Sequence, residues 1–148
     1  MKKNQILPPT YLFFYLLLSL LFHFLFPVAK ITSIYRYFGI VLIAGGLIIN
    51  LWTDSMFKKE KTTVKPNKAP TKLLSSGPFC FSRHPMYLGF IMLLVGVSVV
   101  LGSFSSFVGP LFMYITFEKK FIPLEEKQME KSFGKKYLEY KNRVRRWL

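Results

Sequence analysis

Apolar residues run along most of the chain in long blocks, and the charged ones gather in a central stretch and a tail. Crossing a bilayer as a helix takes about 20 apolar residues, with a tolerated range of roughly 17–25. Four blocks come near that length, at about 11–28, 34–52, 86–101 and 104–117. The first follows Pro8-Pro9, and proline suits a helix start. Only Gly102-Ser103 separates the last two, which predicts a tight antiparallel hairpin. The expected fold class is therefore all-α integral membrane, with four spans in one domain, 1–148. A cytoplasmic loop at 54–84 joins the second span to the third, and a tail at 121–148 follows the fourth. In that tail Met129, Phe133, Tyr137 and Tyr140 fall on one helical stripe, flanked by lysines. Pro123, followed by Glu125 and Glu126, predicts the start of that helix. A stripe of this kind also suits an amphipathic helix lying on the bilayer.

Composition sharpens the picture. Hydrophobic residues make up 51% of the 148 and charged ones 19%, yet the formal net charge is +14. That is too apolar for a disordered basic tail and too greasy for a nucleic-acid module. Lys2 and Lys3 ahead of an apolar run suggest a signal peptide, but Phe26-Pro27-Val28 is bulky where a cleavage site wants small residues. Four spans put both termini on one side, with 19 of the 21 cations; only Lys30 and Arg36 fall on the other. The positive-inside rule then predicts cytoplasmic termini in a bacterial or archaeal inner membrane. The basic runs read as topology and attraction to anionic lipid, not as a nucleic-acid site. No obligate protein partner is evident. The single cysteine, Cys80, excludes an internal disulfide and a Cys-rich metal site, and no metal is expected.

Few polar residues are placed for chemistry. Arg83 and His84 stand at the mouth of the third span, and Pro85 sets its first turn. Donors beside the free N–H groups of a helix start make an anion site; equally, Arg83 marks the membrane border and His84 caps the helix. Glu125 and Glu126 stand out among seven acids. They suit a ribose diol or a cation, or else a favourable helix start. His23, inside the first span, suits a hydrogen bond to a neighbouring helix. Asn50 and Asp54, at the end of the second span, are candidates to face a cytoplasmic cavity. Cys80 has only His84 nearby as a catalytic partner. No G-x-G-x-x-G follows a strand, so there is no sign of a Rossmann nucleotide domain.

The run Leu74-x-x-Gly77-Pro78-Phe79-x-x-x-Arg83-His84-Pro85-x-Tyr87-x-Gly89 is followed by Pro123-Leu124-Glu125-Glu126. Then comes Phe133-Gly134-x-x-Tyr137-x-x-Tyr140-x-x-x-Val144-x-Arg146. In order and spacing this resembles the isoprenylcysteine carboxyl methyltransferase family, which belongs with the phospholipid methyltransferases. The likeness covers about 74–148; the first two spans match in hydropathy alone.

The resemblance implies a membrane methyltransferase that uses S-adenosylmethionine and builds its cofactor pocket from the last membrane helices and the tail. Arg83, His84, Pro85, Tyr87, Glu125, Glu126 and Tyr137 would bind the cofactor, with Arg83, His84 and Glu126 as the catalytic set. Cations fit the methionyl carboxylate, the glutamates fit the ribose hydroxyls and amino group, and tail aromatics fit adenine. The acceptor would be a lipophilic small molecule or lipid, with carboxyl O-methylation of an isoprenylcysteine-like substrate first. N-methylation of a phospholipid headgroup or small amine, and a non-catalytic membrane scaffold or lipid-binding protein, are the alternatives. A carboxylate acceptor needs an arginine to hold it, for which Arg143, Arg145 and Arg146 are candidates. An amine needs a base, for which a glutamate or His84 would serve.

Overall fold

The computed structural model describes residues 8–28, 33–62 and 70–148. Lys2, Lys3, Lys30, Lys65, Pro66 and Lys68, which enter the charge and loop arguments, lie outside the described residues. The described residues form helices and turns without strands: α1 (Pro8–Leu25), α2 (Ser33–Lys59), α3 (Pro85–Leu101), α4 (Val108–Thr116), α5 (Ile122–Phe133) and α6 (Lys135–Arg143). Short 3₁₀ turns sit at Gly77–Cys80 and Phe104–Phe107.

Two helices are long and apolar enough to cross a membrane, Pro8–Leu25 and Ile34–Lys59; Pro85–Leu101 is apolar but shorter. Their outer faces carry bare aromatic and aliphatic side chains, such as Phe13, Phe24, Tyr37 and Val41. A belt of that extent is what lipid covers.

The helices pack through small residues. Against α3, α2 runs antiparallel with Gly39 facing Gly96 and Gly46 facing Gly89. A methyl on Gly39 would stand 2.7 Å from the Gly96 carbonyl oxygen, and one on Gly46 2.6 Å from that of Gly89. The two glycine pairs are seven residues apart on each helix, so one face of each helix is kept flat. In the same way α1 meets α4 where Gly109 lies under Ser19 and the Tyr15 backbone. The Tyr15 and Thr116 hydroxyls close that contact at 2.5 Å. Tyr15, Tyr87, Phe90, Leu94, Met113 and Phe117 fill the space between.

At the far end the chain turns at Gly102, where Arg36 donates to the last-turn carbonyl of Leu101 at 3.4 Å. Ser98 and Ser106 exchange hydroxyl-to-carbonyl hydrogen bonds at 3.0 and 3.2 Å. The His23 ring nitrogen Nδ1 meets Ser103 Oγ at 2.7 Å, so His23 does bond to a neighbouring segment as its lone position suggested.

Two sequence expectations change. The second span does not end at Trp52: α2 continues to Lys59, held by Thr53 and Ser55 hydroxyls on carbonyls four residues back and by an Asp54–Lys58 pair at 2.5 Å. Asp54 is thus a surface partner and no cavity wall. More important, the fourth apolar block and the tail helix are not separate. A π turn at Phe117–Phe121 joins α4 to α5 in one unbroken helical path. Pro123 therefore starts no new helix. Its missing N–H falls just after the widened π turn, where the regular ladder is already interrupted.

Candidate functional site

The site forms where α3 begins, and four segments converge on it. The loop from Pro70 turns through Gly77, whose φ of +60° lies in the left-handed region that favours glycine. That turn buries Pro78 and Phe79. The Tyr140 hydroxyl donates to the Phe79 carbonyl at 2.8 Å, tying α6 to the loop. Leu74, Phe79, Tyr137 and Tyr140 make a small second core, with Met129, Phe133 and Val144 against it. The tail stripe is accordingly broken at Gly134 into two helices, and its tyrosines pack inward on the loop instead of lying on a bilayer.

The last residues strap the site down. The Arg83 amide donates to the Arg145 carbonyl at 3.0 Å, and Ser82 Oγ donates to the Arg146 carbonyl at 3.0 Å. Ser82 Oγ also accepts from the His84 amide at 3.2 Å.

This fixes Arg83 and His84 against α5. Arg83 Nη2 lies 3.1 Å from Glu126 Oε1. His84 makes no side-chain cap to its helix. Its Nδ1 stands 3.3 Å from Glu125 Oε2 and its Nε2 3.6 Å from Glu126 Oε1. Tyr87 stacks between His84 and Phe117, with ring centroids 5.7 and 4.4 Å away, and donates its hydroxyl to Glu125. Pro85 is buried at the first turn of α3. All seven residues singled out from the sequence meet here, since Tyr137 closes the same cavity. That cavity holds about 240 Å³. Arg83, His84, Glu125 and Tyr137 line it together with apolar side chains such as Phe57 and Met129. Glu126 and Arg146 stand behind the wall.

The charges are strongly coupled. Burial disfavours a charged His84, but the adjacent Glu125 and Glu126 carboxylates outweigh it, so the imidazole is held above its ordinary pKa. Burial likewise pushes the Glu126 carboxyl up, but His84, Arg146 and Arg83 together pull it down to about 2. Burial and the Glu126 charge raise the Tyr137 phenol to about 12. Arg83 Nε and Nη1 and His84 Nε2 are buried and find no hydrogen-bond partner among the described residues. Buried donors left open in this way are rare, and both residues line the same cavity, where an acceptor would satisfy them.

Several sequence candidates fall elsewhere. Asn50 packs on Gly89 within the α2–α3 contact, and the cavity takes Thr53 and Phe57 from α2 instead. Cys80 is exposed, with its Sγ 3.3 Å from the Ser75 carbonyl. Among the described residues no group of three or more His, Cys, Asp or Glu is placed to hold a metal ion. Arg143 and Arg145 are exposed, whereas Arg146 is engaged by two carboxylates. Sequence reasoning ended the fourth block at Phe117 and left Glu118 out of the candidates. Its spacing of seven and eight from Glu125 and Glu126 places the three on one helical face, a signal that the assumed break at Pro123 hid.

The phospholipid methyltransferase family profile matches residues 34–136. The chain belongs to that family. It is 32% identical over 129 residues to protein-S-isoprenylcysteine O-methyltransferase of Saccharomyces cerevisiae, covering 82% of this chain and 54% of that protein. It is 31% identical over 122 residues to a probable protein-S-isoprenylcysteine O-methyltransferase of Oryza sativa subsp. indica, covering 81% and 64%. The fold is similar to that of a eukaryotic intramembrane Ras methyltransferase, an isoprenylcysteine carboxyl methyltransferase, with a TM-score of 0.68 at 19% identity. That match covers 95% of this chain and 51% of the other. The chain thus spans little more than half the length of these relatives.

Proposed function

We propose that the protein is a membrane-embedded methyltransferase that moves a methyl group from S-adenosylmethionine to a lipophilic acceptor. Carboxyl O-methylation of an isoprenylcysteine-like substrate is the leading reaction. The observation that carries this reading is Arg83: a buried guanidinium with two open donors on the wall of a cavity it shares with His84 and Glu125. Those donors fit the methionyl carboxylate, and Glu125 fits the ribose hydroxyls or the amino group. When bound, the cofactor supplies an electrophilic methyl on its sulfonium. The apolar side chains of the lining, Phe57 and Met129 among them, suit adenine and a lipophilic acceptor. The residues around it contribute positioning and exclusion of water, which in-line displacement needs most. A carboxylate acceptor is already ionised at pH 7, so no base is required.

Glu125 on the cavity wall favours one second reading, N-methylation of a phospholipid or small amine, because a carboxylate would hold a cationic acceptor. Purified protein incubated with radiolabelled S-adenosylmethionine and total membrane lipid, followed by mass analysis, separates the two. A labelled ester supports the first, a labelled amine the second, and no label with no cofactor binding overturns both.

In this reading α1, α2, α3 and the block at 104–117, which holds α4, make four spans of one domain, α5 and α6 lie on the cytoplasmic side, and both termini are cytoplasmic. The 19-to-2 charge split supports that orientation. Reporter fusions after Lys30 and after Leu148 should then report opposite compartments; equal signals would overturn it.

A further inference from the structure

A shared polar contact lies directly behind the cavity wall, at the π turn. Arg146 is shared between two carboxylates from the same helical path. Its Nε and Nη2 reach Glu126 Oε1 and Oε2 at 3.2 and 3.0 Å, and its Nη1 donates to Glu118. The other oxygen of Glu118 accepts from Trp147 Nε1 at 2.9 Å. Trp147 in turn packs beside Tyr114, with ring centroids 5.2 Å apart. The backbone of the same strap holds Ser82 and Arg83. Glu118 sits within the π segment, a distortion that turns up often at functional positions. It therefore anchors the strap at two points and divides the guanidinium that would otherwise serve Glu126 alone.

We propose that Glu118 is a positioning residue of the site, acting through Arg146 to set the placement and charge balance of Glu126 and, through it, of Arg83 and His84. The consequence for cofactor binding rests on the methyltransferase reading; the coupling itself does not.

Two histidines in the chain make the coupling readable by nitrogen NMR of histidine-labelled protein in detergent. His84 faces Glu125 and Glu126 from α5 and neighbours Arg83 and Tyr87, with Arg146 reaching it through Glu126. Arg146→Gln leaves more of the Glu126 charge uncompensated, so the His84 titration should move up. Glu118→Gln turns Arg146 wholly onto Glu126, so the titration should move down. In the double variant the Glu118 effect should vanish. Cofactor affinity by calorimetry should fall about tenfold in Glu118→Gln, as much as one hydrogen bond contributes, with no further loss when added to Arg146→Gln. An unmoved His84 titration in a folded Glu118→Gln protein, or additive shifts in the double variant, would overturn the proposal. If Glu118→Gln does not fold, Arg146→Lys replaces it: a single ammonium cannot bridge both carboxylates, so the charge balance at Glu126 and with it the His84 titration should move, and an unmoved titration again overturns the proposal. Shifted titrations in a protein that binds no S-adenosylmethionine would uphold the positioning role and sink the methyltransferase reading instead.

Discussion

The guanidinium of Arg83 and the carboxylate of Glu126 stand 3.1 Å apart, with only 8% and 7% of their side chains exposed. Removing one member of a buried pair strands the other, which typically costs about 3–5 kcal/mol. Glu126→Ala should therefore lower the melting temperature in detergent markedly. Glu125 differs, because it lines the cavity and is more open, at 21%. Glu125→Ala leaves the Tyr87 hydroxyl and His84 Nδ1 without their acceptor, so it should lower melting by less than Glu126→Ala, and it should weaken S-adenosylmethionine binding by about 1.5–3 kcal/mol, the range for a charged hydrogen bond. Melting and calorimetry on both variants test this division; equal melting losses would refute it.

The α2–α3 contact makes a second prediction. A methyl at Gly96 would fall 2.6 Å from the Gly39 carbonyl oxygen and 2.8 Å from the Ile43 backbone nitrogen, and backbone cannot swing aside. Gly96→Ala should destabilise by about 1–3 kcal/mol, the usual range for overpacking. Gly134 has open space around its Cα, so any effect of Gly134→Ala comes from its φ of +51° alone. Thermal melts of Gly96→Ala that match wild type would show that α2 and α3 are not packed this closely.

The tail tyrosines give a third. Tyr140 is 4% exposed, and its hydroxyl is the donor to the Phe79 carbonyl. Tyr140→Phe keeps the ring and leaves that carbonyl without its tyrosine donor, for a cost of about 1–3 kcal/mol. The loss should appear as easier proteolysis of the 70–84 loop before global melting, because α6 is what pins that loop. Unchanged cleavage kinetics would argue that the loop is held by the Arg83 and Ser82 contacts alone.

How far the sequence could be read depends on the range of each signal. Hydropathy located α1, α2 and α3 because apolar blocks are local. The Arg83-His84 and Glu125-Glu126 pieces could be marked as one site only through the family resemblance, since no local rule says that α5 packs on the start of α3. The π turn was hidden, since Glu118-Lys119-Lys120 and Pro123 carry the usual marks of a helix end and a new start. The shared role of Arg146 was hidden for the same reason: with the helix broken at Pro123, Glu118 and Glu126 share no face. The glycine pairs depend on register between two helices, which single-chain periodicity does not encode.

The pH response follows from the opposed shifts at Glu126 and His84. Glu126 is held at about 2 in the folded protein, against about 4.3 for a free glutamate. Its contribution to stability is present above the unfolded value and is lost as pH falls through 4 towards 2. His84 is raised, so its contribution is full below about 6.5, the free value, and is lost as pH rises through the folded value. The protein should thus be most stable in the mildly acidic range and lose part of that margin on the alkaline side. His84→Gln should flatten the alkaline loss and leave the acid one in place. Melting temperatures of both proteins from pH 3 to 9 test this, and an alkaline decline equal in wild type and His84→Gln would show that another group carries it.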